Sequence, residues 1–239
     1  MPSPFFITIR LFVASALLMS PIGCLCDVDD KTEAFCLEAL EVIPETVPMP
    51  ELIRVLSGYE VFDWQEENEE WLQRVGQGVL DEANKEAIKA RRINEVGNRV
   101  ENLVLKVIED MGGSANRPKA ASGKIKAAGY PDLWVEGPGF GAYLELKTFS
   151  AHTKASSQRT FYVSPSDDFK VTRDAYHLLL GFSTRKVAED EYVLEDFYWV
   201  DLYHLNCRVK IEFNASNKDL YPVGGDMKIV SSEGEGDDN

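Results

Sequence analysis

The chain has 239 residues, 44% of them hydrophobic and 27% charged, which is apolar material for one globular domain with a sizeable core and room for a small helical appendage. Four cysteines in this length are too few for a disulfide-built scaffold and read best as reduced thiols, with Cys36 and Cys207 expected to be buried. The formal net charge of −15 argues against a nucleic-acid partner held by the chain as a whole, because such binding neutralises phosphates with Lys and Arg. The distribution is uneven, however. Residues 85–126 carry ten basic side chains against five acidic ones, and the rest of the chain carries fifteen against thirty-five. That basic stretch reads equally as a solvated helix face or as a phosphate-facing surface.

At the N-terminus, Leu11 to Met19 is apolar, follows one basic residue, Arg10, and precedes Pro21-Ile-Gly-Cys-Leu-Cys26. It is too short for a membrane-spanning helix and has the length of a signal-peptide core. Residues 1–26 are therefore either an export signal or a mis-annotated extension, with a true start at Met19 that would remove the apolar run. Cys24-x-Cys26 lacks the second ligand pair of a zinc site. Asn214-Ala-Ser216 matches a glycosylation acceptor, a match expected by chance.

Residues 27–92 read as an interrupted helical region. Phe35, Cys36, Leu40 and Ile43 recur at helical spacing before Pro44, Pro48 and Pro50, and a short helical turn follows at Leu52, Ile53 and Leu56. Trp64, Trp71, Leu72, Val75, Val79 and Leu80 predict one or two amphipathic helices up to Arg92. The best-defined helix runs over 93–111, with Ile93, Val96, Val100, Leu103, Val104, Val107, Ile108 and Met111 on one stripe and Gly112-Gly113 as its stop. Glu101 falls at the border of that stripe, one turn beyond Gly97, whereas Glu95 points away from it.

Residues 113–129 predict a basic loop with a short strand. Arg117, Lys119, Lys124 and Lys126 are set there to meet phosphates or simply to face solvent. The stretch from Tyr130 to Thr148 reads as a β-hairpin turning between Pro138 and Gly139. That register places Asp132 opposite Glu145, with Tyr143, Glu145 and Lys147 on one face and Ala142, Leu144 and Leu146 on the other. Two carboxylates and an ammonium on one sheet face suit a Mg²⁺ ion, with the lysine free to orient water or meet a phosphate.

Pro131-Asp132 followed by Glu145-Leu146-Lys147 resembles the PD-(D/E)XK motif of the restriction-endonuclease-like nucleases, over about residues 93–213. The resemblance implies an α/β fold, a central mixed β-sheet flanked by helices, with a helical N-terminal extension and a nuclease core over 93–230. It implies a Mg²⁺-dependent endonuclease acting on double-stranded DNA, closest to a type II restriction enzyme. Asp132, Glu145 and Lys147 would be catalytic. Asp132, Glu145, the carbonyl of Leu146 and Glu101 would serve the metal, and a symmetric homodimer would suit cleavage of both strands. His177 resembles a histidine that some restriction enzymes carry in the helix after the catalytic lysine, although a hydrogen-bonded core residue is the simpler reading.

Further along, Phe161 to Val163 predicts a short strand and Phe169 to Phe182 a helix, with Lys170 set either to meet phosphate or simply to face solvent. Tyr192 to Leu202 and Cys207 to Phe213 predict an antiparallel pair extending the sheet, and residues 231–239 an acidic disordered tail. Localisation follows the N-terminus: cytoplasmic without a membrane partner, or exported if residues 1–26 are a signal. Two competing readings stand beside the restriction enzyme, a related nuclease of repair or branched DNA and a non-enzymatic exported binding module.

Overall fold

The computed structural model describes residues 43–126, 128–156, 161–210 and 216. The N-terminal apolar run, the helix expected before Ile43, Cys24, Cys26, Cys36, Asn214 and the acidic tail lie outside the described residues. The elements of the fold belong to the compact unit from Glu45 onward. Among the described residues, no helix is long and apolar enough to cross a membrane.

The helices are α1 (Met49–Ser57), α2 (Glu69–Ala83) and α3 (Ile93–Asp110). The strands are β1 (Thr46–Pro48), β2 (Val61–Phe62), β3 (Ile88–Lys89), β4 (Ser114–Asn116), β5 (Leu133–Gly137), β6 (Phe140–Ser150), β7 (Ala175–Ala188), β8 (Glu191–Asp201) and β9 (Asn206–Arg208). Seven of them build one mixed sheet in the order β3-β8-β7-β6-β5-β4, with β2 alongside β7. β6 and β7 run parallel at its centre, and β4–β5, β5–β6 and β7–β8 are antiparallel. This is the α/β architecture with a central mixed sheet that the motif implied.

The expected helix over 93–111 is α3. Its apolar stripe buries Val96, Val100, Val104 and Ile108, and each such side chain contributes about 1.5–3 kcal/mol when removed from water. Its start is held by Glu95, whose carboxylate accepts the Arg91 N–H at 2.9 Å. Its end is closed by Gly112 at φ +79°, whose N–H donates to the Glu109 carbonyl, while Gly113 donates to that of Ile108. Only a residue at home in left-handed backbone closes a helix in this way.

α2 and α3 cover one face of the sheet. The core there combines Trp71, Val75 and Val79 of α2 with Leu133 and Val135 of β5, Ala142 and Leu144 of β6, and Leu178, Leu180 and Phe182 of β7. α2 is tied to β8 by Asn84, which bonds both the N–H and the carbonyl of Leu194. A second core on the opposite face joins Met49 and Ile53 of α1 to Tyr130, Trp134, Tyr143, Phe169, Val171, Ala175 and Leu202. The two clusters divide β5 and β6 by alternate residues, as period-two side-chain geometry requires.

The expected helix over 169–182 is instead the strand β7. Ala175-Tyr-His-Leu-Leu-Leu-Gly-Phe182 is nearly continuously apolar because β7 has β6 on one side, β8 on the other and packing on both faces. A strand buried in this way carries no alternation to distinguish it from a helix. Phe161 to Val163 forms no strand; Phe161 and Val163 instead pack against the second core. β8 does extend the sheet, but β9 leaves it to pair with β1 in a separate two-stranded ribbon. Cys207, in β9, is a half-buried free thiol, which burial makes harder to ionise.

His177 lies in β7 and is fully buried, its Nδ1 2.6 Å from the Tyr130 hydroxyl. It is the core residue of the simpler reading and not part of a helix. Burial pushes its pKa down to about 3. A base depressed below its unfolded value near 6.5 stabilises the fold fully above that value, and the contribution is lost as pH falls toward about 3. Chemical denaturation between pH 7.5 and 4.5 should show wild type losing stability relative to His177→Gln as pH falls; a gap independent of pH would contradict this. Gly113 offers a second test. A Cβ there would sit 2.8 Å from the Glu136 carbonyl oxygen, 3.0 Å from Ile108 and 3.2 Å from Trp71. Gly113→Ala should cost about 1–3 kcal/mol in denaturant titration, and an unchanged midpoint would refute the close approach.

Candidate active site

The hairpin is assembled from the turn outward. Pro138 and Gly139, the latter at φ +81°, connect Gly137 to its partner Phe140. Pro followed by a residue with positive φ is what a type II turn demands. From there the ladder runs Glu136 to Gly141, Val135 to Ala142, Trp134 to Tyr143 and Leu133 to Leu144, which is the register expected from a turn centred between Pro138 and Gly139. Trp134 fills the space above Gly141, where a Cβ would lie 2.6 Å from its ring.

Asp132 immediately precedes β5. Its N–H donates to the Leu144 carbonyl at 3.1 Å, and its Oδ2 accepts the Leu146 N–H at 2.8 Å. The carboxylate is thus held against the backbone that flanks Glu145. Glu145 is only 5% exposed; Oε1 lies 2.5 Å from the Lys147 ammonium, and Oε2 is buried without a partner. Burial, and then the charge of Asp132, push the Glu145 pKa up to about 7 against the pull of Lys147. A carboxyl raised in this way stabilises the fold fully below its unfolded range, and the contribution is lost as pH rises through about 7. Adding a cation would reverse that preference, because it favours the ionised form.

An acceptor oxygen sealed from water with nothing to accept from is an expensive arrangement. A divalent ion fits it: both carboxylates supply hard oxygen donors, and the two groups interact electrostatically. The same cross-strand placement brings Lys147 to the site from the face of β6 that holds Glu145.

The other sequence-expected residues are placed unevenly. Glu101 is in α3, with its carboxylate bonded to the Arg117 guanidinium at 2.7 and 2.8 Å. Its charge and those of Asp132 and Glu145 act together on Lys170, so it belongs to the same electrostatic neighbourhood. Glu95 instead accepts the Arg91 N–H just ahead of α3. Lys119 and Lys124 are exposed, while Lys126 is bonded to Asp168 at 2.9 Å. Lys170, expected on the surface as a phosphate contact, is only 4% exposed. Its ammonium donates to the carbonyls of Gly129 at 2.6 Å and Pro131 at 2.9 Å. The sequence carried no signal for this, because the partners are some forty residues away.

Sequence reasoning also missed a second group. The ligand atoms of Asp63, Asp201 and His204 lie within 4.8 Å of one another. Asp201 accepts the N–H groups of Trp64 and Tyr203, and His204 Nε2 is 3.2 Å from Asp63. Asp201 pairs with Leu178, which pairs with Leu144, so it belongs to the helix-covered face, opposite Glu145.

No solved structure matches the chain. A curated protein, type II restriction enzyme MjaV of Methanocaldococcus jannaschii, is 36% identical over 221 residues, covering 81% of this chain and 95% of its own length. The type II restriction enzyme MjaV family matches residues 43–224, a span that contains the whole sheet and the Asp132–Lys147 hairpin. The chain belongs to the type II restriction enzyme MjaV family and is a DNA endonuclease of that type.

Proposed function

We propose that this restriction endonuclease hydrolyses DNA phosphodiester bonds at the hairpin, with Asp132 and Glu145 holding Mg²⁺. The observation that carries the assignment is the buried, partnerless Oε2 of Glu145 beside Asp132 and Lys147. The ion, when bound, neutralises developing charge on the phosphate and lowers the cost of generating the nucleophile. The carbonyl of Leu146 is suited to a further ligand position, since the N–H of that residue already anchors Asp132. Glu101 stands ready to support a second ion only if its bond to Arg117 opens.

Lys147 does different work from the carboxylates. Its ammonium donates to Glu145 Oε1 and is partly exposed. With a cation held by Glu145, Lys147 would be free of its bond to Oε1 and could orient the attacking water and face the negative phosphate. A fixed charge aimed where charge develops lowers the barrier without reorganising at the moment of reaction. Asp132 and Glu145 hold position through β5 and β6, whose packing on both sheet faces prevents the pair from separating.

The substrate is double-stranded DNA, approached through the basic residues that follow β4. Lys119 and Lys124 are exposed there, and Arg117 is half-exposed beside Glu101. Such contacts position the duplex and carry no sequence code. A symmetric homodimer would bring two hairpins to the two strands.

Full-length protein should cut supercoiled plasmid and phage DNA into discrete fragments in Mg²⁺ but not in EDTA. Asp132→Ala should abolish cutting, and Lys147→Ala should slow it by roughly 10²–10³-fold with little loss of DNA affinity. Wild-type cleavage by Lys147→Ala would end that role. For the basic loop, the Lys119→Ala, Lys124→Ala double variant should weaken binding across sequences and reduce the slope of log K against log salt by about two. An unchanged slope would remove these lysines from the DNA surface.

A further inference from the structure

Lys170 is one of the few charged side chains in the described residues that are almost wholly buried. Removing an ammonium from water is costly unless its donors are satisfied and opposite charge lies near. Two of its donors are satisfied and carboxylates lie in the neighbourhood, yet burial outweighs them and holds its pKa below the usual lysine value. The two carbonyls it binds, those of Gly129 and Pro131, bracket Tyr130, and Pro131 is joined directly to Asp132. The carboxylates that favour its charge are, in order, Asp132, Glu145 and Glu101.

The residues before Lys170 face the other way. Asp168 accepts the N–H and hydroxyl of Ser122 and the ammonium of Lys126, and the Phe169 carbonyl accepts the Ala121 N–H. Phe169 and Val171 are themselves buried in the second core. Residues 168–170 therefore grip the basic loop on one side and the entry to β5 on the other.

We propose that Lys170 is a positioning residue for catalysis: its buried ammonium clamps the Gly129–Pro131 backbone and so fixes Asp132 against Glu145. It is not a phosphate contact. Removing it would leave two carbonyls without a donor and free the segment that carries Asp132. A displacement of about 1 Å in such a group costs on the order of 10²-fold in rate.

This inference rests on the assignment of Asp132 and Glu145 as the catalytic carboxylates, so the test carries Asp132→Asn alongside. Full-length wild type, Lys170→Gln, Lys170→Arg and Asp132→Asn are checked for folding by circular dichroism. Each is then assayed for single-turnover cleavage at saturating DNA and Mg²⁺, and for DNA affinity in EDTA. Lys170→Gln should lose about 10–100-fold in cleavage rate and need more Mg²⁺ for half-maximal rate, while binding DNA like wild type. Lys170→Arg, which keeps charge and donors, should recover part of the rate. If Lys170→Gln fails to fold, Lys170→Arg must still show lowered rate at unchanged DNA affinity. Reduced DNA affinity with an intact saturated rate would overturn the proposal in favour of a phosphate contact, and wild-type behaviour of the folded variants would overturn it outright. Should Asp132→Asn cleave like wild type, it is the site assignment that falls; an inactive Asp132→Asn beside a fully active Lys170→Gln refutes the Lys170 role alone.

Discussion

The energetic fact around which the molecule is arranged is the cost of holding the Glu145 carboxylate out of water next to Asp132. Without a cation, that cost appears as a carboxyl that keeps its proton to about pH 7 and an oxygen with no partner. Lys147 offsets only part of it. The sheet does not relieve the strain by letting the groups drift apart, because β5 and β6 are locked by their turn, their ladder and a core on each face. A site kept uncomfortable by rigid surroundings is primed for a ligand that cancels the discomfort.

The two cores divide the labour. The helix side, with α2 and α3 over β5 to β8, supplies most of the apolar burial and fixes the sheet. The other side holds Tyr130, His177, Tyr143 and Trp134 beneath the hairpin entrance. Its buried polar groups are few, and His177 Nε2 is left without a partner. Tyr130 and His177 bond each other, and Lys170 bonds the backbone on either side of Tyr130. With Asp132 and Glu145 as the proposed metal ligands, catalytic geometry would depend on a shell of buried polar contacts one step removed from them, as is common where ligands must be held to a fraction of an ångström.

What was legible in the chain followed from local rules. The hairpin register came from a two-residue turn, since a Pro-Gly pair leaves little choice of pairing between the flanking strands. α3 was legible because its apolar period is long and its Gly-Gly end unambiguous. β7 was not, because a central strand covered on both faces loses the alternation that identifies strands. The burial of Lys170 was equally hidden: its partners are set by the fold, and a lysine in sequence always resembles a surface residue. The same applies to Asp63, Asp201 and His204, which come from a loop, a strand end and a turn brought together only by the sheet.

The central claim is that the hairpin carboxylates are the metal site, and the most direct measurement is anomalous diffraction from crystals grown with Mn²⁺. The account predicts a strong peak within coordinating distance of Asp132 and Glu145, with Lys147 displaced from Glu145 Oε1. A peak at Asp63, Asp201 and His204 with none at the hairpin would contradict it and move the catalytic centre to the other face of the sheet.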